Sequence, residues 1–261
     1  MDILQKIVVD KRQEVASKKA IFPISSLEKS SFFSRSKISL INNLKNGSSG
    51  IIAEHKRRSP SKSVINDTLN VVDVAKGYES AGVSGMSVLT DEAYFGGTLK
   101  DLLTARTSCS LPLLRKEFII DEYQILEAKA SGADLILLIA AILTKKEIKT
   151  FSEIAKSLSL EVLLEIHNEE ELHKSIMPSL DMIGVNNRNL KTFEVSIDTS
   201  KKLSHLIPND FVKISESGIS NPETIKDLKQ YGYQGFLIGE TFMKTNDPGK
   251  SATEFIKKLV P

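Results

Sequence analysis

The chain has 261 residues, of which 41% are hydrophobic and 26% are charged. This composition is ordinary for a globular protein, and the length is sufficient to bury a sizeable core. The formal net charge of +2 is too small to favour nucleic acid or a membrane surface as a partner.

Cysteine usage and hydropathy point to the cytoplasm. The single cysteine, Cys109, excludes a disulfide within the chain and fits a reducing compartment. The longest apolar run, residues 135–143, is too short to span a bilayer, and the N-terminus lacks the apolar core of a signal peptide. We therefore expect a cytoplasmic protein with neither nucleic acid nor membrane among its partners.

The N-terminal segment has the pattern of an amphipathic helix. Ile3, Leu4, Ile7 and Val8 fall on one face at helical spacing. We expect residues 1–48 to form a helical extension that packs on a core of residues 49–261.

From residue 50 onward, short apolar runs alternate with charged amphipathic segments. The runs are rich in branched side chains, as is typical of buried parallel strands. The predicted strands are residues 50–54, 86–90, 112–115, 135–139, 160–165, 182–186, 211–215 and 235–238. The clearest predicted helices are residues 145–157, 168–176, 196–206, 222–231 and 250–259.

Strict alternation of strands and helices indicates either a closed parallel barrel or a doubly wound sheet. The count of eight strands favours the barrel, and the chain length suits it. The predicted fold class is α/β, a (β/α)8 TIM barrel with an extra N-terminal helical segment. Residues 1–261 are expected to form a single domain.

Polar side chains lie near the ends of four predicted strands, where barrels of this type place catalytic residues. Residues two apart share a face of a strand, so the inward set can be derived from the spacing. That set comprises Glu54, Lys56, Lys116, Phe118, Glu165, Asn186 and Arg188. A single charge after a strand usually marks only the point where the strand leaves the core. Four strand ends with the same pattern indicate an active site.

Three further residues fall on the opposite face of their strands. His55, Arg115 and Glu117 are predicted to point outward, toward helices or water. The histidines show no metal-ligand spacing, so no metal site is predicted.

Glycines follow the seventh and eighth predicted strands, in the segments SESGI and LIGET. Loops at these two positions often bind phosphate in such barrels. Gly218 and Gly239 would allow backbone N–H groups to approach an anion closely. The sequence therefore predicts a phosphate site on this side of the barrel.

Seven stretches within residues 51–243 are similar to one enzyme family. They are IIAEHKRRSPSKSVIN, SVLTDEAYFGGTLKDL, LPLLRKEFIIDEYQILEAKASGADLILLIAAIL, EVLLEIHN, IGVNNRNLKTFEV, ISESGI and FLIGETFM. The patterns E-x-K-x-x-S-P-S and R-K-E-F-I-I-D-x-Y-Q are highly specific. The chain resembles the indole-3-glycerol phosphate synthase family.

This resemblance implies a reaction. The family cyclises 1-(2-carboxyphenylamino)-1-deoxyribulose 5-phosphate, removes carbon dioxide and then water, and releases indole-3-glycerol phosphate. The implied protein is a carboxy-lyase of tryptophan biosynthesis that uses no cofactor or metal. Its partner would be this phosphorylated small molecule, and it would be a monomer or a weak oligomer.

The resemblance also implies roles. Lys116 is the expected general acid of ring closure, because negative charge grows on the substrate carbonyl oxygen. Lys56 is expected to pair with an anionic group of the substrate. Glu165 is expected to be the acid or base of dehydration, with Lys56, Glu54 or Asn186 assisting. The sequence leaves open which lysine acts at which step.

Other implied contacts hold the substrate. Phe95 and Phe118 are expected to pack on its aromatic ring, with Ser59 and Arg188 near the polar edge. Glu216 is expected at the same site. The implied phosphate ligands are Ser217, Gly218, Gly239 and Glu240, and Glu240 stands where some members have serine.

Two other functions suit the same fold class. A phosphoribosylanthranilate isomerase would need a Cys/Asp pair near the first and fifth strands, but Cys109 precedes the third. A non-catalytic metabolite-binding barrel would be expected to lack one of the residues Lys56, Lys116 and Glu165, and all three are present.

Overall fold

The short apolar runs form eight parallel strands that close into one barrel in chain order. The computed structural model describes residues 3–47, 49–190 and 192–259. The predicted limits at Met1, Ser48 and Pro261 lie outside the described residues. The strands are β1 Ile51–His55, β2 Gly85–Leu89, β3 Leu113–Lys116, β4 Leu135–Ile139, β5 Glu161–Ile166, β6 Met182–Asn186, β7 Val212–Glu216 and β8 Tyr233–Ile238. Each predicted strand is confirmed to within two residues, and the fold is the predicted (β/α)8 TIM barrel.

Helices precede the barrel and connect its strands. They are α1 Ile3–Ile21, α2 Ile24–Leu27, α3 Leu40–Asn46, α4 Val71–Ser80, α5 Glu92–Phe95, α6 Leu99–Ser108, α7 Glu122–Ala130, α8 Lys145–Ser157, α9 Glu169–Ser175, α10 Asp198–Leu203, α11 Pro222–Lys229, α12 Glu240–Met243 and α13 Pro248–Lys257. No helix in the described ranges is both long and apolar enough to cross a membrane.

Capping side chains set where most of these helices begin. At α8, Thr144 and Glu147 form a reciprocal capping box, and the predicted bounds 145–157 are confirmed. The predicted helix 250–259 begins two residues earlier, because Asp247 caps α13 and Pro248 occupies its first turn. The predicted helix 196–206 is shorter than expected, since regular α-helix ends at Leu203.

The alternation of side chains along β4 shows how the sheet divides the core. Leu135, Leu137 and Ile139 belong to the cluster inside the barrel. Ile136 and Leu138 belong to the larger cluster between the sheet and the helices. Polar residues that continue the inward set at the strand ends therefore converge on one opening, which we call the mouth.

The N-terminal extension packs on the barrel, as predicted. Ile3, Leu4 and Ile7 contact the interior cluster from the side of the mouth. At the opposite end, Leu40 and Leu44 of α3 join the same cluster and close the bottom of the barrel.

A buried charge holds α1 in place. Lys11 forms ion pairs with Asp91 after β2, at 2.9 Å, and with Glu117 after β3, at 3.1 Å. Burial opposes the charged form of Lys11, but these two carboxylates and Glu14 outweigh it and raise the pKa of the ammonium. The extension is thus fixed to two strand ends next to the mouth.

The three outward-facing residues are all buried. Arg115 donates to the Gln124 carbonyl at 2.7 Å and to Glu127 at 2.6 Å, so it meets α7 as predicted. Glu117 faces Lys11, and His55 lies in the apolar layer with 1% of its surface exposed. These residues contact helices and neighbouring side chains rather than bulk water.

His55 is buried at a cost, because neither ring nitrogen has a hydrogen-bond partner among the described residues. Burial, helped by Arg57, lowers the pKa of the imidazole from 6.5 to about 4. The unfolded chain binds this proton more readily than the folded chain does. The folded state therefore loses stability as the pH falls from 6.5 to about 4.

Replacing His55→Leu removes these unpaired nitrogens, so we expect the free energy of unfolding at neutral pH to rise by about 1 kcal/mol. Stability should also fall less steeply in acid. Urea denaturation at a series of pH values measures both effects. His205→Leu, at an exposed position, serves as the control. Equal acid sensitivity in His55→Leu and the wild type would contradict the prediction.

Candidate active site

The mouth holds a cavity of about 400 Å³ at the carboxyl ends of the strands. Every site residue predicted from the sequence lines it. They are Glu54, Lys56, Ser59, Phe95, Lys116, Phe118, Glu165, Asn186, Arg188, Glu216, Ser217, Gly218, Gly239 and Glu240. The prediction that strand-end side chains share one mouth is therefore confirmed, while their chemical roles stay predictions.

Lys116, at the end of β3, lies between two carboxylates from other strands. Its ammonium nitrogen is 3.0 Å from Glu165 of β5 and 2.5 Å from Glu216 of β7. Burial alone would lower the pKa of this ammonium, but Glu216 and Glu165 outweigh it and raise the pKa. Lys116 is therefore protonated at neutral pH.

The two carboxylates differ in protonation although both contact Lys116. Burial raises the pKa of Glu216, Glu165 adds to the rise, and Lys116 only partly offsets it, which leaves a pKa of about 7. At Glu165, burial is outweighed by Lys116 and His167, which lower the pKa. The site therefore holds one firmly ionised carboxylate beside one that exchanges a proton near neutral pH.

Gly184 of β6 makes room for the Glu216 carboxylate. A Cβ atom at this position would lie 2.3 Å from Glu216 Oε1 and 3.1 Å from a methyl carbon of Leu163. Glycine here is thus required by a side chain that approaches from the neighbouring strand.

A second ion pair lies at the carboxyl end of β1. Lys56 is 2.8 Å from Glu54, and Ser87 of β2 donates a 3.3 Å hydrogen bond to the same carboxylate. The Glu54 side chain is 4% exposed and the Lys56 side chain is 19% exposed. The carboxylate therefore anchors the pair, and the ammonium is the end available to a ligand.

Asn186, at the end of β6, and Arg188, just after it, add two more polar side chains to the mouth. The Asn186 side chain donates a hydrogen bond to Glu165, and its own oxygen accepts from the backbone N–H of Arg188 at 3.0 Å. The Arg188 guanidinium donates to the Phe193 carbonyl at 3.1 Å. Asn186 thus orients Glu165, and Arg188 provides a cationic group in the lining of the mouth.

An aromatic wall faces these charges. The rings of Phe95 and Phe118 lie 5.9 Å apart, centroid to centroid, and are tilted by 43°. Ile3, Leu4 and Ile7 of α1 continue this apolar side of the cavity. The mouth therefore suits a molecule with an aromatic part and several anionic groups.

The loops after β7 and β8 form the other end of the cavity. Ser217 and Gly218 adopt left-handed backbone conformations, with φ of 69° and 78°. A Cβ at Gly218 would lie 2.4 Å from a methyl carbon of Val195. Glycine therefore avoids this clash and also suits the left-handed backbone conformation. Thr241 donates to the Ile219 carbonyl at 3.1 Å and joins the two loops.

Glu240 begins the short helix α12 in this region. Its carboxylate pairs with Lys62, from the loop after β1, at 2.8 Å, and both side chains are about half exposed. Lys62 lowers the pKa of Glu240. A loop expected to bind an anion thus carries an ionised carboxylate beside a half-exposed cation.

The cavity is also lined by residues that were not predicted from the sequence. Leu137 and Ile139 could have been found, because they follow the same period-two spacing on β4. The α1 residues Ile3, Leu4 and Ile7 were predicted to pack on the barrel, but no spacing rule indicates that they line the mouth. The loop after β6 supplies further lining residues, namely Leu190, Phe193 and Val195.

Cys109 is outside this cavity. It directly follows α6, lies buried, and its thiol contacts the Ala105 carbonyl at 3.4 Å. Among the described residues, no group of three or more His, Cys, Asp or Glu side chains is arranged to hold a metal ion.

A closed barrel with lysines and acids at its mouth is typical of (β/α)8-barrel enzymes. The family model for indole-3-glycerol phosphate synthase matches residues 4–255. The indole-3-glycerol phosphate synthase of Bacteroides thetaiotaomicron is 48% identical over 258 residues, which cover 99% of this chain and 99% of that protein. The enzyme of the same name from Caldanaerobacter subterraneus subsp. tengcongensis is 44% identical and covers 98% of each chain.

A solved structure of KGPDC from Streptococcus mutans superposes with a TM-score of 0.62. The match covers 81% of this chain and 98% of that one at 12% identity, a likeness that concerns the fold alone. The sequence matches decide the family: this chain belongs to the indole-3-glycerol phosphate synthase family.

Replacing Gly184→Ala should displace the Glu216 carboxylate and cost about 1–3 kcal/mol of stability, the usual range for overpacking. Urea denaturation measures this cost. In a Glu216→Ala background the same change should cost clearly less, because the clashing oxygen is gone. Equal costs in the two backgrounds would show that Gly184 is not needed for Glu216.

Proposed function

We propose that this chain is an indole-3-glycerol phosphate synthase that works without metal or cofactor. It would cyclise, decarboxylate and dehydrate 1-(2-carboxyphenylamino)-1-deoxyribulose 5-phosphate. The observation that carries the proposal is the protonated Lys116, held between Glu165 and Glu216 at the centre of a mouth with one aromatic wall. Family membership supports the same reaction.

The substrate's three parts match three regions of the mouth. Its phosphate would bind the loops after β7 and β8, through the backbone N–H groups of Ser217, Gly218, Gly239 and Glu240. Its aromatic ring would pack against the wall formed by Phe95 and Phe118. Its carboxylate would meet the cations Lys56 and Arg188, with Ser59 at the polar edge. Holding both ends in this way brings the ring carbon close to the carbonyl carbon.

Ring closure needs a proton donor at the carbonyl oxygen. Lys116 fits this role because its neighbouring carboxylates keep it protonated. Negative charge on the oxygen would be met by the ammonium group as it forms, inside a cavity that is set back from bulk water. Loss of carbon dioxide then consumes the carboxylate that Lys56 had paired with.

Dehydration needs a base and an acid. Glu165 is ionised and oriented by Asn186, so we assign it as the base. Lys56, anchored by Glu54, is then free to protonate the departing hydroxyl group. Glu216, which contacts Lys116 and has a pKa of about 7, would bind the substrate.

We further infer that residues 1–261 act as one cytoplasmic domain, as a monomer or a weak oligomer. The buried ion pairs of Lys11 support the single domain, because they join the N-terminal extension to the catalytic face of the barrel.

Purified protein should convert the carboxyphenylamino-deoxyribulose phosphate to a product with indole fluorescence, and a chelator should not reduce the rate. Folded protein that gives no signal would favour a binding-only barrel. Activity that disappears with the chelator and returns with a metal would contradict the metal-free mechanism.

Lys116→Ala should lower kcat by about a hundredfold or more, as expected for loss of a general acid. Steady-state kinetics with the same fluorescence signal measure the change. Lys149→Ala is the matched control, since Lys149 forms an exposed pair with Glu153. Near-normal turnover in Lys116→Ala would rule out this lysine as the acid.

Glu240→Ser should lower KM by about two- to fivefold, the scale of one exposed charge interaction. The change removes a carboxylate near the proposed phosphate site and frees Lys62. Because Glu240 does not contact the reacting atoms, kcat should stay constant. Glu223→Ser, at an exposed pair with Lys226, should change neither constant. A higher KM in Glu240→Ser would place the phosphate elsewhere.

A further inference from the structure

A histidine lies directly behind the proposed base. His167 follows β5, two residues beyond Glu165, and its side chain is only 9% exposed. Its Nε2 atom is 3.5 Å from Oε1 of Glu165, whereas Lys116 contacts Oε2 of the same carboxylate. Nε2 is buried and makes no hydrogen bond among the described residues, so the Glu165 carboxylate is its polar neighbour by charge alone.

The other side of the imidazole is held by Glu171 of α9. Oε2 of Glu171 accepts from the backbone N–H of His167 at 2.8 Å and lies 3.1 Å from Nδ1 of the ring. Asn168 donates to the second oxygen of Glu171 at 3.0 Å, which orients the carboxylate. The ring therefore carries a proton on Nδ1 and presents Nε2 to Glu165.

The charges around the ring favour its protonated form. Glu165, Glu171 and Glu216 all face it, and Lys116 lies beyond Glu165. Burial alone would lower the pKa of His167, but the carboxylates outweigh it and raise the pKa above 6.5. In return, the imidazolium favours the ionised form of Glu165.

We propose that His167 is a positioning residue for Glu165. As an imidazolium held by Glu171, His167 orients the Glu165 carboxylate and keeps it able to accept a proton. The role of Glu165 as a base rests on the function proposed above. The electrostatic link between the two side chains does not, because it exists in the free protein.

A second His–Glu pair shows what an ordinary surface contact looks like here. His173 and Glu169 also lie four residues apart, with a 3.2 Å contact, but their side chains are 64% and 62% exposed. His167 differs in that it is buried and directs its second nitrogen at a residue of the mouth. The exposed pair thus provides a matched control.

The test is the pH profile of His167→Gln, which keeps an N–H donor but loses the charge. Without the imidazolium the pKa of Glu165 should rise, so the acid limb of kcat should move to higher pH by about one unit. At a fixed pH on that limb, kcat should fall about tenfold, with KM and the rate above neutral pH nearly unchanged. His173→Gln should match the wild type.

Carbon-13 NMR titration of the Glu165 carboxyl group gives a second measurement that needs no turnover. The same upward shift is expected in His167→Gln. A smaller shift in the same direction is expected in Glu171→Gln, which keeps the histidine but removes its anionic partner. If His167→Gln does not fold, Glu171→Gln decides the question.

The outcomes separate the two proposals. Wild-type protein that makes no product overturns the proposed function, while the NMR titration still decides the link between His167 and Glu165. A Glu165 titration that is unmoved in these variants overturns the role of His167. So does a uniform loss of kcat at every pH, which would reflect only a structural role.

Discussion

The ammonium group of Lys116, buried between Glu165 and Glu216, is the interaction on which the site depends. Three separate strands supply these groups, so the barrel must close in the right register before they meet. Removing the lysine would leave two buried carboxylates close together with no positive charge between them. The charge of Lys116 therefore also determines where the two carboxylates can lie. The difference in pKa between the two carboxyl groups follows from the same arrangement. One lysine lies between two buried carboxylates, so ionising the second carboxylate costs more free energy than ionising the first.

A second buried lysine connects the N-terminal extension to this centre. Lys11 pairs with Glu117, the residue next to Lys116, and with Asp91, which caps the helix that carries Phe95. The apolar face of α1 then completes one wall of the mouth. Segments that precede the barrel therefore contribute to the shape of the cavity, whereas the strand ends and the loops after them contribute its charged groups.

Much of the fold could be predicted because its signals are local. Each strand is a short apolar run, and the period-two rule correctly placed Glu54 and Lys56 on one face. The rule does not predict which residues lie behind the site, because the burial of a side chain and its hydrogen-bond partners depend on segments that are distant in the chain. His167 is an example: its spacing from Glu165 was visible, but its contact with Glu171 and its burial were not.

By itself, the sequence determined the alternation of strands and helices, the inward set of polar residues and the family resemblance. These follow from hydrophobic period and motif, which are properties of neighbouring residues. Only the tertiary structure decided that burial raises the pKa of Glu216 to about 7, that Gly184 makes room for this side chain, and that α1 lines the mouth. The reason is physical: pKa and close packing are set by groups that are distant in the chain and adjacent only after the barrel has closed.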